Sequence, residues 1–196
     1  MPKTEWYRPS SNNEFSGFVS HVQEDLLNRI SVDSSTPYNQ YYNPINAFNW
    51  NHNIPWASRG NDYGWISFSF NQNPFYITHY QLQQRTDNAI GDILESWVFE
   101  GSNDGVNWNI IDRRNNPTGF VSLKQIKLFK CHSGNFKHFR ITSKIMTIVT
   151  IQRIEVYGFY CNTETECNLY NLFHQSCSAK KNTHIMIFTT SFLLIS

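Results

Sequence analysis

From Gly64 onward the chain falls into short alternating runs, each closed by a turn-forming cluster. This pattern limits the fold more than any other feature. In the run 65–70, Ile66, Phe68 and Phe70 alternate with Ser67 and Ser69, the period of a strand with one buried face. Asn71-Gln72-Asn73-Pro74 reads as a turn, and 75–84 as the next strand. The run 96–102 sets Trp97 and Phe99 on one face, and Asn103-Asp104-Gly105 follows it. Asp-Gly tolerates the positive φ of a tight hairpin turn, so 108–112 is the return strand. Further strands are expected over 124–130, 136–142 and 151–157. Short strands at this spacing specify an antiparallel sandwich or barrel. No helix of βαβ length separates them, which disfavours a parallel α/β sheet.

The rest of the chain frames this core. At 196 residues it is one ordinary domain with short extensions, large enough to fold without a disulfide or metal staple. Residues 1–14 read as a flexible lead. Within 15–31, Phe18, Val22, Leu26 and Ile30 stand at helical spacing, which predicts a short N-terminal helix. Residues 32–64, rich in Asn, Tyr, Pro and Gly, read as a long loop region with one brief strand. After Gly158 come a polar, cysteine-containing stretch (161–183) and an apolar end (184–196). That end is shorter than the roughly 20 residues a helix needs to span a bilayer. It reads as an extra strand or a loose end, with membrane contact by the tail as the alternative.

Several function classes drop out. The net charge is +1 and no dense Lys/Arg run occurs, so nucleic-acid binding has no electrostatic footprint. The histidines at 21, 52, 79, 132, 138, 174 and 184 are scattered, and HExxH, GxSxG and P-loop patterns are absent; no enzyme class is indicated. His132 and His138 near Cys131 read as solvated loop residues. Cys131, Cys161, Cys167 and Cys177 form no CxxC pair, which removes the zinc-ribbon and thioredoxin-like readings. The last three cluster in the tail, where pairing in an oxidising compartment and four free thiols in a reducing one are equal alternatives. The first 14 residues contain no apolar signal-peptide core. The nearest approach to a glycosylation sequon, Asn116-Pro117-Thr118, is blocked by proline. Both observations lean toward a cytoplasmic location.

The stretch from Leu94 to Trp108, LESWVFEGSNDGVNW, resembles the central hairpin of the discoidin, or coagulation factor 5/8 type C, family. It is most similar to a protist and animal intracellular branch whose domains often follow BTB modules. Val32-Asp33-Ser34-Ser35 resembles the family's opening strand. Asn46-Ala47-Phe48-Asn49 and Trp56-Ala57-Ser58 resemble its first long loop. Trp65 to Phe70, Phe139-Arg140-Ile141 and Ile154 to Gly158 resemble core strands. The resemblance divides the chain into a lead (1–29), a domain (30–159) and a tail (160–196). It implies an all-β, antiparallel jelly-roll sandwich of the galactose-binding-like type. It further implies ligand binding by loops at one end, without catalysis, the ligands being sugars, phospholipid head groups or proteins. Many extracellular members tie the two ends of the domain with a disulfide; here no cysteine precedes Cys131, so that bridge cannot form within the domain. Some sugar-binding relatives hold Ca²⁺ at the first long loop, partly through an aspartate. The matching residue is Asn49, which is neutral, whereas Ca²⁺ favours charged oxygens. No cofactor is therefore expected, and Asn49 and Glu155 are the candidate Ca²⁺ residues.

Trp65, Trp97 and Trp108 lie on predicted strands and are read as core, and Trp56 as structural. Trp50 is different, because it stands in an Asn-rich loop near His52. Tyr38, Tyr41 and Tyr42 flank Asn39 and Gln40, a mixture of apolar faces and amides suited to a sugar or peptide. It equally suits a loop packed on its own tyrosines. Arg59, Asp62 and Tyr63 lie in a second loop. Arg85 and Asp87 open a third, with a plain surface pair as the simpler reading. Asp112, Arg113 and Arg114 are read as structural pairs. The candidate ligand residues are thus Tyr38, Tyr41, Tyr42, Trp50, His52, Arg59 and Arg85. Two functions remain: loop-based recognition of a carbohydrate or similar polar group, and an intracellular protein–protein adaptor that keeps the fold without a sugar site.

Overall fold

The alternation in the sequence becomes the register of two sheets. A computed structural model describes residues 6–10, 15–60, 62–87, 92–115 and 118–160. The expectations for the cysteines and apolar end of 161–196 lie outside the described residues. In chain order the elements are β1 (Trp6–Tyr7), α1 (Phe18–His21), a 3-10 turn (Gln23–Asp25), α2 (Leu26–Arg29), β2 (Ile30–Ser34) and a second 3-10 turn (Pro44–Ala47). Then follow β3 (Trp56–Ala57), β4 (Trp65–Phe70), β5 (Phe75–Gln83), β6 (Trp97–Ser102), β7 (Asn109–Arg114) and β8 (Ile126–Lys130). The last are β9 (Asn135–Phe136), β10 (His138–Ser143), β11 (Thr150–Ile151) and β12 (Arg153–Tyr160).

One sheet runs β1-β12-β5-β8, with β9 also paired to β5; the other runs β2-β4-β10-β6-β7. Every pairing is antiparallel. Eight of the strands have five residues or more, and the fold is an antiparallel β-sandwich. Phe70 of β4 stacks on Phe75 of β5 at 4.6 Å, and Tyr80 of β5 meets Phe99 of β6 at 4.6 Å. Both contacts join one sheet to the other. Each buried aromatic side chain contributes about 1.5–3 kcal/mol, and its ring geometry adds about 0.5–1.5 kcal/mol.

Two turns depend on glycine. Gly105 has φ +73° in the β6–β7 hairpin, as its Asp-Gly sequence requires. Gly158 sits at a bulge in β12, where a side chain would run into the Tyr76 carbonyl.

The tryptophans divide. Trp97 and Trp56 are buried, and Trp97 Nε1 donates to Tyr80 Oη at 3.1 Å. Tyr80 in turn donates to Asp112 (2.7 Å), which pairs with Arg114 (2.7 Å). Arg113 is exposed. Trp65 and Trp108 are not core residues. Ile66, Phe68 and Phe70 point inward, so Trp65 faces outward with Ser67 and Ser69. Trp108 lies under the Arg140 guanidinium at 4.1 Å, and Arg140 is itself bonded to Glu100 at 3.0 Å.

The N-terminal segment is part of the sandwich. β1 pairs with β12 through Trp6↔Phe159 and Tyr7↔Gly158, so these two residues of the lead are held in the sheet. The expected helix is broken in two at the 3-10 turn. Phe18, Val19, Val22 and Leu26 all enter the core. A single turn such as α1 is too short to hold itself in water. Its anchor is Glu155, on β12.

Candidate functional site

The register places the long loops together. Ser34 pairs with Ile66, Thr142 with Trp65, and Ser143 and Arg114 with Trp97. In the other sheet, Gln83 pairs with Arg153 and Ile126. The connections 35–64, 84–96, 115–125 and 144–152 therefore gather at one end. The other end carries the short turns 71–74 and 103–108. A rigid sandwich with loops at one end can vary its contact residues without disturbing its core.

The first loop is built from its own amides. Tyr41 N donates to Asn39 Oδ1 (2.9 Å), Asn46 Nδ2 to the Tyr41 carbonyl (2.7 Å), and Ile45 N to Asn43 Oδ1 (3.1 Å). Tyr38 N reaches the Ala57 carbonyl at 2.8 Å, and Arg59 N the Thr36 carbonyl at 3.0 Å. Held in this way, Tyr38 and Tyr41 remain 50% and 65% exposed. Tyr42 packs edge-to-face on Tyr38 at 5.8 Å. Arg59 and His52 are exposed, and among the described residues Arg59 forms no ion pair. Ile54, Tyr63 and Met146 extend the exposed apolar surface of this end. A cavity of about 420 Å³ lies elsewhere, lined by Tyr7, Phe18, His21, Glu24 and Tyr160. The loop end is an open platform.

Three candidates need correction. Arg85 is neither a loop contact nor a surface pair, because its side chain is only 5% exposed. It grips Asp87 through two bonds, 2.5 and 2.7 Å, and also reaches Asp92. Arg85 therefore ties together the two ends of the β5–β6 loop. The hydrogen bonds it donates to Asp87 hold the guanidinium above its ordinary pKa, and burial pushes the Asp92 carboxyl up. Trp50 is half-buried rather than presented to solvent. Its ring meets Phe15 edge-to-face at 5.2 Å, and its backbone N–H donates to Gln23 Oε1 at 2.9 Å.

The third correction is Glu155 as a Ca²⁺ residue. It is fully buried. Its Oε1 accepts from Val19 N (2.7 Å) and Val156 N (2.9 Å), and its Oε2 from Gly17 N (3.0 Å) and Ser20 N (3.1 Å). Both oxygens are occupied by donors, which a cation would have to displace. Asn49 uses its Oδ1 to accept from Asn51 N at 3.1 Å. Among the described residues no group of three acids, histidines or cysteines is placed to hold a metal. These residues do not fit Ca²⁺.

Sequence reasoning missed Arg153, which stands over the Trp50 ring at 5.6 Å. The signal available was its position at the head of the last strand, on the side of the loops.

The comparisons decide the family. The F5/8 type C domain model matches residues 30–154. The chain belongs to the F5/8 type C domain family. No curated protein matches it. Among solved structures, CBM32-3 from a family 31 glycoside hydrolase of Clostridium perfringens is similar at TM-score 0.59 and 14% identity, over 77% of this chain and 99% of that one. The family 32 CBM from C. perfringens NanJ, in complex with galactose, gives 0.54 and 15%, over 65% and 93%. Chitosan-binding module 1 from a Paenibacillus sp. IK-5 chitosanase/glucanase gives 0.54 and 19%, over 66% and 96%. At these identities the F5/8 type C chain shares their fold.

Proposed function

We propose that this F5/8 type C domain is a non-catalytic recognition module whose loop end binds a carbohydrate. The observation that carries the reading is the set of Tyr38, Tyr41 and Tyr42 on an amide-braced loop, with Arg59, which forms no ion pair among the described residues, in the adjoining segment. Tyrosine offers an apolar face for the C–H side of a sugar ring and a hydroxyl for its rim, at a cost of few rotatable bonds. Amides and a guanidinium supply the directional bonds to hydroxyls. Similar structures bound to galactose, or named for chitosan, support this ligand class.

A glycan array identifies the sugar, and Tyr41→Ala with Arg59→Ala tests the surface. Both side chains are exposed, so the double variant should fold normally and bind at least tenfold more weakly, about 1.4 kcal/mol. Undiminished binding in that variant refutes the assignment of the loop surface. Silence on the array, together with a cytosolic protein captured by the wild type and lost from the double variant, establishes the adaptor role instead.

A further inference from the structure

Arg153 opens β12 at the loop end, opposite Gln83 in the ladder. Its guanidinium carbon lies 5.6 Å from the Trp50 ring centroid and 5.9 Å from that of Phe15. The electron-rich faces of the two adjoining rings attract the guanidinium. Among the described residues no carboxylate pairs with Arg153.

Three polar atoms at this place are buried without a hydrogen-bond partner: Arg153 Nε, Trp50 Nε1 and Gln83 Oε1. A buried polar atom left unpaired costs about 1–3 kcal/mol. The chemistry of the three is directional. Arg and the Trp indole can only donate, so two donors and a positive charge await an acceptor that is negative. Gln83 Oε1 can only accept, so it awaits a hydroxyl or an amide N–H. A carboxylate with hydroxyls close by meets both demands, because the planar arginine fork matches a carboxylate. Arg153 and Trp50 each keep part of their surface exposed.

We propose that Phe15, Trp50, Gln83 and Arg153 form a subsite for the carboxylate of an acidic sugar. The inference rests on the carbohydrate reading above and narrows it to uronate-type saccharides. Arg153 with Trp50 takes the carboxylate, Gln83 takes a ring hydroxyl, and the aromatic edges take the ring.

The test follows the Trp50 indole N–H in a ¹⁵N spectrum of the full chain, the signal being assigned by its loss in Trp50→Phe. Methyl glucuronide should move that signal downfield saturably, and methyl glucoside should leave it in place. Arg153→Gln should weaken the glucuronide response at least tenfold. Arg153→Lys keeps the charge without the fork and should fall between; it carries the test should Arg153→Gln fail to fold. The proposal is overturned by a still Trp50 signal under glucuronide. An undiminished response in the folded glutamine or lysine variant overturns it as well, as does a poly-glutamate peptide acting where glucuronide does not. Neutral sugars moving only the tyrosine loop would leave the carbohydrate reading standing and remove the acidic subsite. Failure of every sugar to move any signal would remove both.

Discussion

Glu155→Ala should destabilise the domain by about 2–3 kcal/mol. The carboxylate accepts four backbone N–H groups, those of Gly17, Val19, Ser20 and Val156. Three of these bonds are buried and that of Ser20 is partly so. An orphaned buried donor costs about 1–3 kcal/mol, and a plain sum over four would reach roughly 4–12 kcal/mol. Two effects reduce it. Burial pushes the carboxyl up to about 7 from 4.5, so desolvation of the charge already offsets much of what the four bonds contribute. Water also enters the space that the side chain leaves and pairs with part of the donor set. For a domain of this size each kcal/mol corresponds to roughly 2–4 °C, so the midpoint should fall by roughly 5–10 °C. Urea unfolding followed by tryptophan fluorescence measures the free energy directly. Glu155→Gln, which keeps one oxygen and the shape, should lose about half as much. EDTA should leave the wild-type midpoint unchanged. A loss under about 0.5 kcal/mol in Glu155→Ala, the range of ordinary surface changes, would refute the anchoring argument. An EDTA-induced drop absent from the variant would return Glu155 to the role of metal ligand.

Four further outcomes follow from the same structure. Trp97→Ala removes a fully buried ring and its bond to Tyr80, and should cost about 3–5 kcal/mol in denaturant unfolding. The folded-state pKa of Glu155 lies above its ordinary 4.5, so its contribution is full below about pH 4.5 and fades as pH rises through about 7. The wild type should show that downward slope in stability between those values, and Glu155→Gln should lack it. Asp104 behaves in the opposite way: hydrogen bonds from Asn107 and Val106 hold its carboxyl well below 3.8. The support it lends the hairpin should be full above about pH 4 and fade on acidification, read as amide exchange at Val106 and Asn107 that is slower than in Asp104→Asn above that pH and converges with it in acid. Burial pushes the Cys131 thiol far above its usual range, so the native domain should leave it unlabelled by thiol reagents that modify it at once in urea; mass spectrometry of the labelled peptide decides.

The strands were legible because period-two alternation is a local property. The run 65–70 appears as β4 with the same bounds, and 75–84 as β5 with one residue fewer. Trp65 and Trp108 misled because tryptophan on a strand favours burial on average, whereas the face is set by register. With Ile66, Phe68 and Phe70 inward, Trp65 had to point out. The broken helix hid for a related reason. Its spacing is helical, but its position is fixed by Glu155, a residue some 135 positions later, and no local pattern encodes that partner.

The candidate site was legible to the same degree. Loop membership can be read from composition, so the tyrosines and Arg59 were placed in loops, but which loop side chains remain free depends on contacts between segments. Arg85 looked available beside Asp87, yet Asp92, at the far end of the β5–β6 loop, draws it inward. Arg153 looked like an ordinary strand residue, yet β12 delivers it to Trp50. Of the arginines at the loop end, Arg85 is satisfied by Asp87 and Asp92, whereas Arg59 and Arg153 form no ion pair among the described residues. The proposed sites therefore use Arg59 and Arg153 rather than Arg85, because a charge already paired has less to offer an incoming group.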